Sequence, residues 1–192
     1  MKKTVLLFLL LLQSSLIAQT IKEKSIEASI GFGYVFVDED IDLEGTGFYM
    51  QGEYVMKLKS WFEVRPYFGL IITDAETERK ESFEPVYRAV CNAVLIGGKA
   101  RLIAPIPYFA PYFEIGLGAS IGQFETFTPL ENIDKNGVIF HVPLTLGVAL
   151  GKKNNFEIEF AYYMQDNVKQ VVGGAAVGFR FPLEKQKNTP KT

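Results

Sequence analysis

The stretch that decides the fold is FEIEFAYYMQ at residues 156–165, where side chains of two kinds alternate. One face is apolar and carries Phe156, Ile158, Phe160, Tyr162 and Met164, and the other carries Glu157, Glu159, Ala161, Tyr163 and Gln165. A period of two with one polar face is typical of a half-buried β-strand. The closing stretch VVGGAAVGFRF at 171–181 alternates in the same way, with faces that differ in size. The chain is therefore predicted to be all-β.

The same pattern recurs along almost the whole chain. Strands are expected at 25–37, 47–58, 61–73, 87–102, 110–122, 138–150, 155–165 and 170–181. Such long segments suit tilted strands that cross a bilayer, because strands in soluble sheets are usually about five or six residues long. They predict an eight-stranded antiparallel up-and-down transmembrane β-barrel.

Two classes of connection alternate between these strands. Short turns are expected at 57–60, 104–109 and 151–154, and acidic, mostly longer segments at 38–46, 74–86, 123–137 and 166–169. In outer-membrane barrels the short turns face the periplasm and the long loops face outward. With an even number of strands, both ends of the barrel domain fall on the short-turn side.

Two prolines and a pair of glycines lie at positions where a regular β-strand is not expected to contain them. Pro66 and Pro143 lack an N–H inside a predicted closed sheet. Each is therefore expected at a bulge near a rim, or beyond a strand that ends sooner. Gly97 and Gly98 are expected to mark a further bulge in the fourth strand.

Residues 1–18 have the pattern of a secretory signal peptide. Lys2 and Lys3 precede an apolar run too short to span a bilayer, and Ala18 is a small residue suited to cleavage. The predicted order is a signal peptide at 1–18, a barrel domain at 19–183 and a polar tail at 184–192. Prolines interrupt the longest later apolar run, 102–113, so no spanning helix is expected downstream.

Composition narrows the classes of function. The net charge of −2 becomes −4 once Lys2 and Lys3 are removed, so the chain offers no electrostatic footprint for nucleic acid. Cys91 is the only cysteine and cannot form an intramolecular disulfide. Hydrophobic residues nevertheless make up 48% of the sequence, so a large apolar surface has to be covered.

Volume indicates which face of the barrel points inward. An eight-stranded lumen is just wide enough to be filled by side chains, so the bulky apolar set should face lipid. The lumen is then expected to hold Glu27, Glu53, Glu63, Glu114, Glu157 and Glu159 together with Lys57, Arg65, Lys99, Arg101 and Arg180. Near-balance of charge predicts a paired network that plugs the lumen, with a narrow ion path as the alternative.

Aromatic residues gather near both ends of the predicted strands. Those near the short turns are Trp61, Phe62, Tyr67, Tyr108, Tyr112, Phe113, Phe156 and Phe181, and those near the other end are Tyr34, Phe36, Phe48, Tyr49, Phe124, Phe140 and Tyr162. Amphipathic rings prefer the headgroup level of a bilayer, so two aromatic girdles are expected.

Several short motifs resemble a known family. RPYFGL at 65–70, PYFEIGLG at 111–118, VPLTLG at 142–147 and GFRF at 178–181 resemble small outer-membrane β-barrel domain proteins. The type is OmpA/OmpX-like and is frequent in Bacteroidetes-like bacteria. Most such proteins have no assigned activity.

The resemblance implies a location in the cell outer membrane and a monomeric, porin-like barrel. The implied partners are outer-membrane lipid, lipopolysaccharide and the barrel-assembly machinery, which recognises a closing aromatic strand. Here a further eleven residues, 182–192, follow that strand and include the polar tail. We expect a structural or surface-contact role without enzymatic activity. The alternatives are a narrow conduit for ions or small solutes, a lipid A-modifying enzyme and a periplasmic lipocalin-like carrier.

Two sets of residues could carry chemistry. His141 is the only histidine and points inward in phase, but Pro143 occupies the position where an outer-membrane lipid deacylase would have its serine. Asp38, Asp40 and Asp42 alternate like the start of a calcium loop, yet Leu43 stands where that loop needs glycine. We therefore predict no catalytic residue, no metal ligand and no cofactor.

Overall fold

The computed structural model describes residues 21–37, 44–74 and 88–185. The predicted signal peptide and the aspartates at 38–42 lie outside the described residues, as do residues 75–86 of the second long connection and residues 186–192 of the tail.

Eight antiparallel strands form a closed barrel in which each strand pairs with its sequence neighbours and β1 pairs with β8. The strands are β1 Glu23–Val37, β2 Glu44–Lys59, β3 Phe62–Asp74, β4 Arg88–Ile103, β5 Tyr108–Phe127, β6 Asn132–Gly151, β7 Phe156–Gln165 and β8 Gln170–Lys185. One short 3-10 helix, Asp166–Val168, joins β7 to β8. The predicted up-and-down β-barrel is confirmed. Within the described residues, no helix is long and apolar enough to cross a membrane.

The connection between β5 and β6 differs from its prediction. Residues 123–137 were expected to form a loop, but β5 and β6 are each 20 residues long and pair continuously there. Only 128–131 turns, where Thr128 N–H donates to the Glu131 carbonyl at 2.8 Å and Glu131 N–H donates to Thr128 Oγ1 at 2.9 Å. The prediction was wrong because a hairpin that extends into solvent has polar residues on most positions and lacks the alternation of a half-buried strand.

Both prolines lie inside strands, without a bulge or a strand end. The β2–β3 register is unchanged on either side of Pro66, and the β5–β6 register is unchanged on either side of Pro143. Each proline breaks the ladder on one side only and still pairs on the other, Pro66 with Gly98 and Pro143 with Tyr163. The predicted bulge at Gly97 and Gly98 is also wrong, because β4 keeps one register with both neighbours. The register shifts that do occur lie near the short-turn end, at Lys24/Ser25 and Lys57/Lys59.

The outer surface of the barrel is apolar. Large hydrophobic side chains project from the wall, and Phe32, Phe140 and Leu117 are each more than 70% exposed, at 79%, 76% and 74%. The opposite phase of the same strands is buried in the lumen. The sheet therefore carries its bulky apolar residues outside, as the volume of an eight-stranded lumen requires.

Four aromatic residues predicted in the girdles lie in the lumen instead. They are Tyr49, Tyr67, Tyr112 and Phe124, all with at most 5% exposure. Glycines on facing strands make room for three of these rings: a Cβ on Gly174 would lie 2.5 Å from the Tyr49 ring, one on Gly147 2.3 Å from the Tyr112 ring, and one on Gly118 2.1 Å from the Tyr67 hydroxyl. Lumen volume thus comes from pairing large rings with glycine. Trp61, Tyr108, Phe113 and Phe181 remain exposed near the short turns, and Phe48 and Phe140 near the other end.

Candidate functional site

The middle of the lumen holds a dense network of charged side chains. Every strand except β6 contributes a charged member, because the inward phase of each carries an acid or a base at this level. The members are Glu27, Glu53, Glu63, Arg65, Lys99, Arg101, Glu114, Glu157, Glu159 and Arg180. β6 joins through Thr145, whose hydroxyl accepts a hydrogen bond from Lys99 Nζ at 3.4 Å. The network therefore connects all eight strands from inside.

Arg65 is the centre of this network. Its guanidinium pairs with Glu27, with Glu53 at 2.7 Å and with Glu114 at 2.8 Å, and it lies 3.9 Å from Glu157. All of these side chains are fully buried. A planar guanidinium with five N–H donors suits this position, because one side chain can satisfy several carboxylates at once.

Two further cations from β4 share the same acids. Lys99 Nζ lies 2.5 Å from Glu53 and 2.6 Å from Glu114. Arg101 pairs with Glu114 at 2.5 Å and with Glu157 at 2.7 Å, and its guanidinium stacks 3.5 Å from the centre of the Tyr112 ring. Glu114 is thus held by three cations. Pairing of this kind is what makes buried charge tolerable in a low dielectric.

The network closes toward the short-turn mouth with Arg180 of β8. Its guanidinium bonds Glu27 at 3.2 Å, Glu63 at 3.0 Å and Glu157 at 2.7 Å. Lys57, which was expected in the same network, lies at the mouth instead and pairs with Glu23 at 3.3 Å while remaining 32% exposed. Lys57 lies near the end of β2, at the rim of the barrel and beyond the buried layer.

Charge in the network is less balanced than the sequence indicated. Without Lys57, six buried carboxylates face four cations. Of these six acids, Glu159 is the one without a salt bridge among the described residues, and its single hydrogen bond comes from the Tyr112 hydroxyl at 3.3 Å. The lumen therefore carries two carboxylates in excess of its cations.

His141 lies above the charged layer in a polar and aromatic group. Its Nε2 is 2.5 Å from the Tyr67 hydroxyl, and its Nδ1 is 2.7 Å from Ser120 Oγ. Gln165 donates to that same Oγ at 2.8 Å, which leaves the serine hydroxyl proton for Nδ1. The imidazole is thus fixed from both sides, and it is 3% exposed.

The contact with Ser120 was missed from the sequence. The sequence offered no matching serine, because Pro143 stands where an outer-membrane lipid deacylase would have it, whereas the serine beside His141 comes from the neighbouring strand. Ser120 has the inward phase of β5, and the pairing of Gly118 with His141 brings it next to the ring. Only the β5–β6 register, which single-sequence reasoning does not supply, could have revealed it. The Ser120 hydroxyl is fully buried, and it accepts a hydrogen bond from Gln165 inside the lumen.

An apolar cluster fills the lumen toward the long-connection end, and we name it the outer cluster. Its buried members are Val35, Val37, Tyr49, Tyr67, Ile71, Ala89, Cys91, Ala93, Leu95, Phe124, Ile139, Ala161, Tyr163, Val168, Val172 and Ala176. Val168 lies in the β7–β8 connection, and the Thr126 hydroxyl donates to its carbonyl at 2.8 Å. The outer cluster therefore packs above the charged network and continues the filling of the lumen to that mouth.

The β5–β6 hairpin extends past the point where β7 ends. β7 pairs with β6 only over 142–150, whereas β5 pairs with β6 out to Asn132. Within the described parts of the chain, no strand pairs with the other edge of 132–141. Lys135 reaches across this edge and donates to the Asn167 carbonyl at 2.9 Å.

The direction of Pro143 identifies the backbone groups on this edge. Its lost ladder contacts are with β5, so its nitrogen faces β5. Because backbone groups point alternately to the two sides of a strand, the N–H groups of Asp134, Asn136, Val138 and Phe140 face away from β5. These four residues are exposed. They form a row of backbone donors and acceptors that is open to another strand.

Known proteins share the fold of this chain but not its sequence. No protein-family model matches it, and no curated protein matches it at the level of sequence. Neisserial surface protein A is similar with a TM-score of 0.53 at 11% identity, over 83% of this chain and 97% of that one. The outer membrane protein OprG from Pseudomonas aeruginosa gives a TM-score of 0.51 at 11% identity, over 84% and 97% of the two chains. The attachment invasion locus protein Ail of Yersinia pestis gives 0.46 at 18% identity, over 84% and 99%. The chain thus has the fold of small outer-membrane β-barrels.

Proposed function

We propose that this protein is an integral outer-membrane barrel without enzymatic activity, and that its β5–β6 hairpin makes contacts at the cell surface. The observation that carries this proposal is the open edge at 132–141. An unpaired edge is a template for an added strand, and soluble proteins usually protect such edges with charge, bulges or a covering loop. Residues 132–137 of this open edge lie beyond the predicted transmembrane strand, 138–150.

The belt of exposed apolar side chains supports the membrane location. In water, so large an apolar surface would be a strong driving force for aggregation, whereas in lipid it is the required outer face of a barrel. Its immediate partners are then outer-membrane lipid and lipopolysaccharide, with the barrel-assembly machinery acting during insertion. The short turns face the periplasm and the hairpin faces outward, as in other barrels of this kind. Because the strands close into a barrel below the β5–β6 hairpin, the protein is expected to be a monomer.

The contents of the lumen favour a plug over a conduit. The charged network crosses the lumen between strands that are not neighbours, and the outer cluster packs above it. Water and ions passing through would have to break several buried ion pairs. A narrow ion path therefore ranks second, and it requires a rearrangement of Arg65 and its partners.

Location is tested by fractionation. The proposal expects the protein in the detergent-extracted outer-membrane fraction, and it expects the unboiled form to migrate faster on a denaturing gel than the boiled form. Extraction without detergent would instead support a periplasmic carrier and would contradict the proposal.

Surface contact is tested at Asn136, whose N–H faces the open edge. Asn136→Pro removes that donor and blocks strand addition, while Asn136→Ala keeps the backbone donor and removes only the side chain. Cells that produce each form at equal surface levels are compared for retention on protein-coated glass under flow. We expect wild type and Asn136→Ala to be retained and Asn136→Pro to be lost. Equal retention of all three and of cells without the protein would contradict a contact role for this edge.

A further inference from the structure

We propose that the lumen binds one divalent cation on the carboxylates of Glu27, Glu157 and Glu159. One oxygen from each of these three side chains lies within 4.8 Å of the other two, and all three residues are fully buried. Calcium binds oxygen ligands at about 2.3–2.6 Å, so oxygens on one ion are separated by at most about 5 Å. The three oxygens therefore lie within the span of one coordination sphere.

Two of the three acids have oxygens that the protein leaves unsatisfied. Glu159 Oε1 and Glu27 Oε1 are buried without a hydrogen-bond partner, although Arg101 lies 3.6 Å from the second. An unpaired buried carboxylate oxygen is costly, because it has lost its water and gained nothing in return. Glu159 Oε1, which has neither a hydrogen bond nor a salt bridge to the described residues, points to a ligand that neutralises it, and Glu27 Oε1 offers a second oxygen without a hydrogen bond beside it.

The charge of the whole lumen supports a doubly charged ion. Six buried carboxylates face four cations, so the network carries an excess of two negative charges. One bound divalent cation would bring the net charge of the network to zero. Arg101 and Arg180 remain paired with Glu157 at 2.7 Å each and would share that carboxylate with the ion. Glu159 has no cationic partner within the part of the chain that the structure describes, so the bound ion would be the only cation that it pairs with.

An ion can approach from the short-turn side. A cavity of about 460 Å³ opens at that mouth and is lined by Glu63 and Arg180, which belong to the same network. The outer cluster blocks the opposite route. The ion is therefore expected to enter from the periplasmic mouth or during folding, and to exchange slowly once the barrel has closed.

The test uses the full mature chain, refolded in detergent with calcium and then freed of loose ions on a desalting column. Elemental analysis should find one more bound calcium per chain in wild type than in Glu159→Gln. Glu131→Gln, which removes an acid in the 128–131 turn, serves as the control and should keep the wild-type value. Equal calcium in wild type and Glu159→Gln would overturn the proposal, and protons would then have to neutralise the excess acids.

A second measurement needs no variant and so does not depend on how Glu159→Gln folds. Terbium(III) is a luminescent substitute for calcium, and the Tyr112 hydroxyl lies 3.3 Å from Glu159 Oε2, close enough to transfer excitation to a bound ion. Wild type refolded with terbium should show tyrosine-sensitised emission, and this emission should be lost when excess calcium is present together with the terbium during refolding. Emission that calcium refolding leaves unchanged would place terbium on other acids and would overturn the proposal.

Discussion

Arg65 of β3 and Glu114 of β5 form an ion pair of 2.8 Å across the lumen, although β4 lies between their strands. The wall is thus held from inside as well as by its ladders. Such an ion pair links β3 and β5 directly, whereas backbone hydrogen bonds connect these two strands only through β4. The stability of this barrel should therefore respond to lumen substitutions more than to substitutions on its rim.

Replacing Arg65 with methionine should destabilise the barrel strongly. The change leaves Glu27, Glu53 and Glu114 with fewer partners in a buried site, and breaking a buried pair costs about 3–5 kcal/mol. Lys57→Met is the matched control, because its pair with Glu23 is partly exposed and such pairs contribute at most about 1 kcal/mol. Urea unfolding in detergent micelles measures both. Similar decreases in the free energy of unfolding for the two variants would contradict a central role for Arg65.

Substitutions at two glycines distinguish the effect of crowding in the lumen from the effect of a change on the lipid face. Gly118→Ala would put a Cβ 2.1 Å from the Tyr67 hydroxyl, 2.4 Å from His141 Nε2 and 2.7 Å from the Ile96 carbonyl oxygen. Overpacking of this kind costs about 1–3 kcal/mol. Gly98→Ala meets nothing within 4 Å and should change stability by less than about 0.5 kcal/mol. Thermal unfolding followed by gel mobility compares them, and a larger loss for Gly98→Ala would show that the packing around Gly118 is not the cause.

Lipid A should be unchanged by substitutions at the histidine site. His141 and Ser120 are hydrogen bonded but buried, at 3% and 0% exposure, which does not favour access of a lipid substrate. Mass spectrometry of lipid A from cells with wild type, His141→Ala and Ser120→Ala should give one profile, equal to that of cells lacking the protein. A lipid A species that requires both side chains would establish an enzyme.

The fold could be predicted from the sequence because it depends on one repeated signal, the period of two, which is present in at least part of every strand from β1 to β8. The contents of the lumen were predicted less well. Phase identifies the inward residues but not their depth, so Lys57 was expected in the buried network and lies at the mouth. The contact of Ser120 with His141 depends on strand register. The solvent-exposed part of β5 and β6 carries little alternation, which is why its strands were mistaken for a loop.

The wild-type barrel should not conduct ions in planar bilayers. Its network crosses the lumen at several levels, from Arg180 with Glu63 at 3.0 Å to Lys99 with Glu53 at 2.5 Å, and the outer cluster packs above them. Recordings with the refolded protein should therefore lack stepwise currents. A large porin inserted in the same bilayers is the positive control, because its lumen is an open aqueous channel. Discrete current steps from the wild-type protein would favour the conduit.

Trp61 can report where the short-turn rim lies in the bilayer, since it is the only tryptophan in the chain. It is 48% exposed, and Lys59 Nζ lies 5.3 Å from its ring centre, an arrangement suited to the headgroup level. Its fluorescence should be quenched most by lipids whose quencher lies near the headgroup.

The matched variant carries Trp61→Phe with Phe68→Trp, on the lipid face of β3 where Phe68 is 61% exposed. Residue 68 lies roughly 23 Å further along the strand. With a tilt of about 40°, that is roughly 17 Å in depth, close to the bilayer centre. The variant should therefore be quenched most by lipids with the quencher near the chain ends, and an identical depth profile for both proteins would contradict the proposed insertion.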